Sequence, residues 1–242
     1  MKVYHYTTID ILALILKNRT IRFNSLYNVD DPREGVSKDL GKIGHHVLVS
    51  CWTESDAENL AMWQLYANKN TGCIISMSKE MFLQSNMDPN KKNTTKILEQ
   101  NEKVEIRTAE KPLIKIKYID NLDKQKFYYE HDNGDIYLEN FDIAAYKSIE
   151  WEFQKEIRYI LYQMPKPKHG EYYYENEIKN KISKTSEYSF EFYDLPIDKQ
   201  AFNGMEIITA PNMSVGNKII VEDLCRCYNS NAKIYESKCK IK

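Results

Sequence analysis

The segment Trp151-Glu152-Phe153-Gln154-Lys155-Glu156-Ile157-Arg158-Tyr159-Ile160 sets acidic and basic groups inside an apolar, strand-like run. At strand periodicity Glu156, Arg158 and Ile160 share one face, and Ile157, Tyr159 and Leu161 share the other. A face that only had to be wetted could carry almost any polar residues. A carboxylate and a guanidinium two positions apart, beside two aromatics, instead fit the floor of a polar cleft. The competing reading is a half-exposed strand carrying a solvated ion pair.

Three further polar clusters lie in the N-terminal half. In Tyr4-His5-Tyr6-Thr7, alternation puts His5 and Thr7 on one face. Histidine there serves as a general base or orients ligand hydroxyls, unless it is incidental to a chain end. In Asn28-Val29-Asp30-Asp31-Pro32-Arg33-Glu34-Gly35, Pro32 holds Asp31 extended, and Asn and Asp side chains can satisfy the loop's own amides. Three acids on such a loop are a weak metal signal, and no metal is expected. The third cluster runs from Ser50-Cys51-Trp52-Thr53-Glu54 into Asn59-Leu60-Ala61-Met62-Trp63-Gln64-Leu65-Tyr66. Helical spacing places Asn59, Met62, Trp63 and Tyr66 near one face. That face fits stacking of a base or nicotinamide ring, with Ser50 or Thr53 on its polar edge. Its alternative is plain packing of the helix onto a sheet, which suits Trp63 best.

These residues need elements to hold them. Strands are expected at 3–6, 20–23, 46–52, 72–77, 113–119, 172–174, 188–193, 206–209 and 232–235, in addition to the Glu156 strand. Helices are expected after a Thr8 cap, over about 57–67 and over 215–228. The stretch 123–149 reads as helical with a turn at His131-Asp132-Asn133-Gly134. Residues 84–103 read as a solvated excursion with one peripheral helix, and 165–170 as a loop. Short strands without regular βαβ alternation give a mixed α+β class, in one domain spanning 1–242.

Composition narrows the function. The 242 residues are 42% hydrophobic and 29% charged, the balance of a folded soluble chain. A formal net charge of -1 gives no global attraction to nucleic acid or to an anionic membrane. Five cysteines and no leader-like start argue against a disulfide framework, so free, buried or semi-buried thiols and a cytoplasmic location are expected. Neither a Gly-x-Ser-x-Gly elbow nor a His-Glu-x-x-His pattern occurs, and no phosphate loop is present.

In this order, the clusters resemble the bacterial family catalogued as domain of unknown function 2971. The matching features are Tyr4-His5-Tyr6, Ile21-Arg22-Phe23, Asn28-x-Asp30-Asp31-Pro32-x-Glu34, Ser50-Cys51-Trp52-Thr53-Glu54, Met62-Trp63-x-x-Tyr66-Ala67, Gly72-Cys73-Ile74 and Trp151-x-x-x-x-Glu156-x-Arg158, with a late strand around Met205 to Ile208. The chain departs from the family pattern where Arg33 replaces an aromatic and where Cys51-Trp52-Thr53 replaces Ser-Phe-Ser.

More remotely, the His-x-Thr strand and short helix resemble the entry to the ADP-ribosyltransferase-like superfamily. That resemblance implies a curved or split β core holding NAD as substrate. His5 would position the dinucleotide, Tyr66 would wall the nicotinamide, Glu156 would stabilise the reacting ribose, and Arg22, Arg33 or Arg158 would lie near phosphates. Glu152 and Glu54 are the rival carboxylates. The expected function is ADP-ribosyl transfer or NAD hydrolysis by a toxin or defence effector, with a nucleic-acid or protein acceptor. Two other readings stay open: a non-catalytic nucleotide or nucleic-acid binding module, using the 91–103 segment as a phosphate surface, and a structural or protein-interaction domain.

Overall fold

Thr8 closes the first strand and opens the first helix. Its side chain accepts from the Ile11 amide, and Asp10 and Lys17 sit at the ends the helix dipole favours. The helix stops where Arg19 takes a left-handed conformation (φ 56°) and donates to the Ile15 carbonyl at 2.8 Å. The resulting unit is β1 (Lys2–Thr7), α1 (Ile9–Asn18) and β2 (Thr20–Ser25), with Leu12, Ile15 and Leu16 of α1 buried. The computed structural model describes residues 1–38, 41–122, 128–130, 136–138, 143–166 and 190–240.

After the small hairpin of β3 (Val36–Ser37) and β4 (Gly41–Lys42) come β5 (Val47–Thr53), α2 (Leu60–Tyr66) and β6 (Cys73–Ser78). Next are β7 (Ile97–Gln100), β8 (Val104–Lys115), β9 (Lys117–Ile119), β10 (Tyr128–Glu130), β11 (Ile136–Leu138) and β12 (Tyr146–Ser148). A 3-10 turn at Ile149–Gln154 leads into β13 (Glu156–Pro165), followed by β14 (Phe192–Pro196) and α3 (Lys199–Asn203). The described chain finishes with β15 (Glu206–Thr209), α4 (Val215–Tyr228) and β16 (Lys233–Glu236). This is a mixed α+β domain with a central sheet and flanking helices.

The sheet runs β16-β15-β6-β1-β5-β13-β8-β7, antiparallel except for the β15–β16 pair. β5 pairs with β13 along the whole of β5, from Glu156↔Thr53 to Tyr162↔Val47. β1 and β2 therefore share the other edge of β5, and they meet it at opposite ends. β1 pairs only at Tyr4↔Thr53, and β2 only at Asn24↔Val49 and Ser25↔Leu48. Between them the sheet forks over Ser50, Cys51 and Trp52. Gly72 lets β6 start hard against the end of β1, since a Cβ there would lie 2.3 Å from the Thr7 carbonyl oxygen.

Side-chain alternation on β13 follows the sequence reading and sorts two apolar clusters. Ile157, Tyr159 and Leu161 join the larger one with Phe23, Trp52 and Trp63, while Ile160 and Tyr162 join the smaller one with Val47 and Val49. Several expectations need correction. The described parts of 123–149 are strands and turns rather than helix, because β12 pairs in parallel with β9 (Tyr146↔Lys117) and β10 with β11. Residues 151–154 form a 3-10 turn, and the strand begins only after Lys155 at φ 46°. The strand expected at 113–119 starts at Val104, and the 84–103 excursion returns to the sheet edge as β7. The turn at 131–134, the strand at 172–174 and most of the 165–170 loop lie outside the described residues.

All five cysteines are free, with Cys73 and Cys225 buried and Cys227 exposed. Among the described residues no helix is long and apolar enough to cross a membrane.

Candidate functional site

A cavity of about 370 Å³ opens in the fork between β1 and β2. His5 and Thr7 of β1, Arg22 of β2, Ser50 of β5, Tyr66 of α2 and Glu156 of β13 all line it. Six side chains singled out in the sequence are thus brought to one place by five elements. The volume falls within the range of about 300–1,000 Å³ typical of small-molecule sites.

The fork leaves backbone without a strand partner, and His5 covers part of it. Its Nδ1 lies 2.8 Å from the Cys51 carbonyl oxygen. A carbonyl can only accept, so Nδ1 carries the proton and the neutral ring keeps a lone pair on Nε2. Burial lowers the His5 pKa, with the Cys51 hydrogen bond opposing it only in part. The ring packs on Trp52 at 5.1 Å between centroids, and the Trp52 indole N–H donates to Ser50 Oγ at 2.9 Å.

Glu156 belongs to a buried group of four charges. Its Oε1 is 2.5 Å from Arg158 Nε, and its Oε2 is 3.2 Å from Arg158 Nη2 and 3.0 Å from Lys147 Nζ. Glu34 closes the set, pairing with Arg158 Nη1 and standing 3.3 Å from Lys147 Nζ. Arg158 is fully buried and the other three are at most 4% exposed. Burial alone would raise the Glu156 pKa, but the charges of Arg158 and Lys147 outweigh it and hold the carboxyl at about 2. Lys147 is raised by the same pairing, since Glu156 and Glu34 outweigh its burial. The competing reading of a half-exposed strand with a solvated pair gives way to a desolvated network. Opposite charges pair within it, as burial of charge requires.

The loop and turn that deliver Glu34 and Lys147 are tied together. Buried Asp31 accepts from the Ser148 amide at 3.2 Å and from its hydroxyl, and also from the Arg33 amide at 3.0 Å. Gly35 makes a close pass against Gly44 at φ 69°, where an added Cβ would lie 2.6 Å from the Gly44 Cα.

Tyr66 projects from α2, whose first turn is capped by Asn59 Oδ1 (2.8 Å to the Ala61 amide). Its hydroxyl accepts from Gln154 Nε2 at 2.5 Å. Burial, followed by Asp30, pushes its pKa far up, so the phenol stays protonated. Arg22, at the cavity edge, forks onto Asp194 with contacts of 2.8 and 2.9 Å and stacks on Phe192 at 3.7 Å.

The other sequence candidates lie elsewhere. Arg158 sits behind Glu156 with its guanidinium engaged by two carboxylates and the Ala144 carbonyl. Arg33 pairs with Asp31 and Glu150. Thr53 donates to the Lys155 carbonyl at 3.1 Å and borders a second, open hollow. Trp63 is fully buried in the core, its indole N–H donating to Glu58 at 3.0 Å. Of the rival acids, Glu152 is exposed, and Glu54 pairs with Lys79.

Sequence reasoning did not single out Lys147, Asp30 or Gln154 as lining residues, nor Glu34 as a partner of Glu156. Glu34 and Asp30 carried a signal as acids of an unusual loop. Lys147 carried none, because its segment reads as helix.

Among the described residues no group of three or more His, Cys, Asp or Glu side chains gathers to hold a metal ion. No curated protein and no solved structure matches the chain. Residues 62–159, which include Tyr66, Lys147, Glu156 and Arg158 but not His5, are similar to the family described as "Protein of unknown function (DUF2971)".

Proposed function

We propose that the protein uses NAD to transfer ADP-ribose, either to a nucleic-acid or protein acceptor or to water. The observation that carries this reading is the meeting of His5, Tyr66 and Glu156, from three distant segments, in the cavity of the sheet fork.

The chemistry suits the groups. The bond from the nicotinamide ring nitrogen to ribose C1′ breaks with its electron pair going to the nitrogen, so the ring leaves neutral and the ribose becomes an oxocarbenium ion. An oxygen or nitrogen nucleophile then bonds to C1′ and loses its proton to solvent. A carboxylate held at about 2 is ionised throughout the physiological range. It is a poor proton donor there, but fit to stabilise positive charge and to accept from a ribose hydroxyl. Neutral His5, with its Nε2 lone pair, serves as a second acceptor for ribose. Tyr66 provides a flat wall for the ring. Arg22 takes phosphate oxygens in place of Asp194, its partner at the cavity edge.

A second reading has its own support. Glu156 is 4% exposed and engaged by two cations, as a purely structural carboxylate would be. On that reading the cavity binds a nucleotide without turning it over. Titration of NAD against the wild type, His5→Ala and Glu156→Gln separates the two. Binding weakened by His5→Ala, with turnover lost in Glu156→Gln, supports transfer. Binding without turnover in the wild type, unchanged in Glu156→Gln, supports the binding module.

A further inference from the structure

Transfer to an acceptor or to water ends with a nucleophile that must give up a proton. Among the described residues three carboxylates line the fork cavity: Asp30, Glu156 and Asp194. Glu156 is 4% exposed and engaged by Arg158 and Lys147, which suits it to a charge but leaves it shut off from an arriving acceptor. Asp194 forks onto Arg22 and so belongs to the phosphate end of the cavity. Asp30 differs from both. It is exposed, and no cation pairs with it among the described residues.

An exposed side chain serves at a site only if its backbone is held. Here the neighbours hold it. Val29, one position before, packs on the smaller apolar cluster. Asp31, one position after and 2% exposed, accepts from the Ser148 amide at 3.2 Å and the Arg33 amide at 3.0 Å. Glu34 is also 2% exposed and pairs with Arg158, the guanidinium that holds Glu156. The loop is thus anchored on both sides of Asp30, which stands at the cavity wall and in solvent at once.

We propose that Asp30 is the general base of the transfer, taking the proton of the oxygen or nitrogen nucleophile as that atom bonds to ribose C1′. The bond from C1′ to the nicotinamide nitrogen breaks with its pair going to the ring. The new bond forms with the nucleophile's pair, and the proton passes to an Asp30 Oδ and then to solvent. Glu156 steadies the oxocarbenium ion while Asp30 serves the acceptor, a division of labour between two carboxylates. The assignment rests on the NAD reading and adds the group that meets the acceptor.

The test measures NAD affinity by calorimetry and NAD turnover, with acceptors supplied, in the wild type, Asp30→Asn, Asp30→Ala and Glu156→Gln. Each is run with and without azide, an anionic nucleophile that has no proton to lose. Both Asp30 variants should bind NAD as the wild type does and lose about 10²-fold or more in turnover. Azide should restore turnover in Asp30→Ala, with ADP-ribosyl azide as the product, and should leave Glu156→Gln inactive. Wild-type turnover in both Asp30 variants, a loss that azide does not rescue, or NAD affinity lost with Asp30 overturns the inference and leaves the NAD reading standing. Rescue of Glu156→Gln by azide gives the base role to Glu156 and also overturns it. Failure of both Asp30 variants to fold, shown by their urea midpoints, makes Asp30 structural and does the same. A wild type that does not consume NAD overturns both readings.

Discussion

Arg158 Nε lies 2.5 Å from Glu156 Oε1 on the same face of β13, and neither side chain is more than 5% exposed. The pair cannot be treated as surface decoration. Removing one member of a desolvated pair strands the other, which costs about 3–5 kcal/mol. Arg158→Met should therefore lower the urea-derived stability by about that amount. Arg158→Lys, which keeps the charge but not the fork, should lose less. A loss within about 0.5 kcal/mol for Arg158→Met, the level of a surface change, would contradict the buried network.

Acid should unfold the protein partly through Glu156. Its carboxyl is held at about 2, below an ordinary value near 4.5, because Arg158 and Lys147 outweigh its burial. A depressed carboxylate contributes stability that is complete above the unfolded value and is lost as pH falls through the folded one. The loss should lie between about pH 4.5 and 2 and amount to roughly 3 kcal/mol. Buried Asp31 is also lowered, by hydrogen bonds from Ser148 and Arg33 that outweigh its burial, and it acts in the same direction. Urea midpoints at steps of pH check this. Glu156→Gln should flatten the slope in that window.

Asn59 joins two parts of the site. Its Oδ1 caps α2, and its Nδ2 donates to the Phe153 carbonyl at 2.9 Å, beside Gln154. Asn59→Ala should cost about 1–2 kcal/mol or somewhat more, as both contacts go. Asn59→Asp keeps the cap and loses the second contact, so it should fall between. Equal stability of all three proteins would remove Asn59 from the account.

Trp63 and Tyr66 look alike in the sequence and separate in the fold. Trp63 is fully buried in the core, packing edge-on against Tyr6 at 5.2 Å. Trp63→Ala should cost about 3–5 kcal/mol. Trp63→Phe, measured under conditions where it is folded, should bind ligand as the wild type does. Weakened binding by folded Trp63→Phe would move that residue back into the site.

Much of this was legible in the chain because local chemistry dictates it. Thr8 before Ile9, Leu12 and Leu16 gives a capped amphipathic helix, and Ile157-Arg158-Tyr159-Ile160 alternates faces as a strand must. His5, Tyr66 and Glu156 were legible as chemical types, and the fork brings them together. What could not be read was long-range. Lys147 stands beside Glu34 only because β12 pairs with β9 and because Asp31 ties Ser148 to a loop 117 positions away. Nor does any local pattern in 143–149 distinguish a strand held by a distant partner from a helix. The fate of each arginine was equally hidden, since Arg22, Arg33 and Arg158 differ only in which carboxylate the fold presents to them.

The central claim is that Glu156 acts on NAD in the fork cavity. The most direct measurement follows nicotinamide release and transfer of labelled ADP-ribose, with nucleic-acid and protein acceptors supplied. Wild type is compared with Glu156→Gln, and a urea midpoint on each sample shows that it is folded. The account expects turnover in the wild type and a loss of about 10²–10³-fold or more in folded Glu156→Gln. Turnover unchanged by Glu156→Gln, or a wild type that neither binds nor consumes NAD with any of these acceptors, would contradict it.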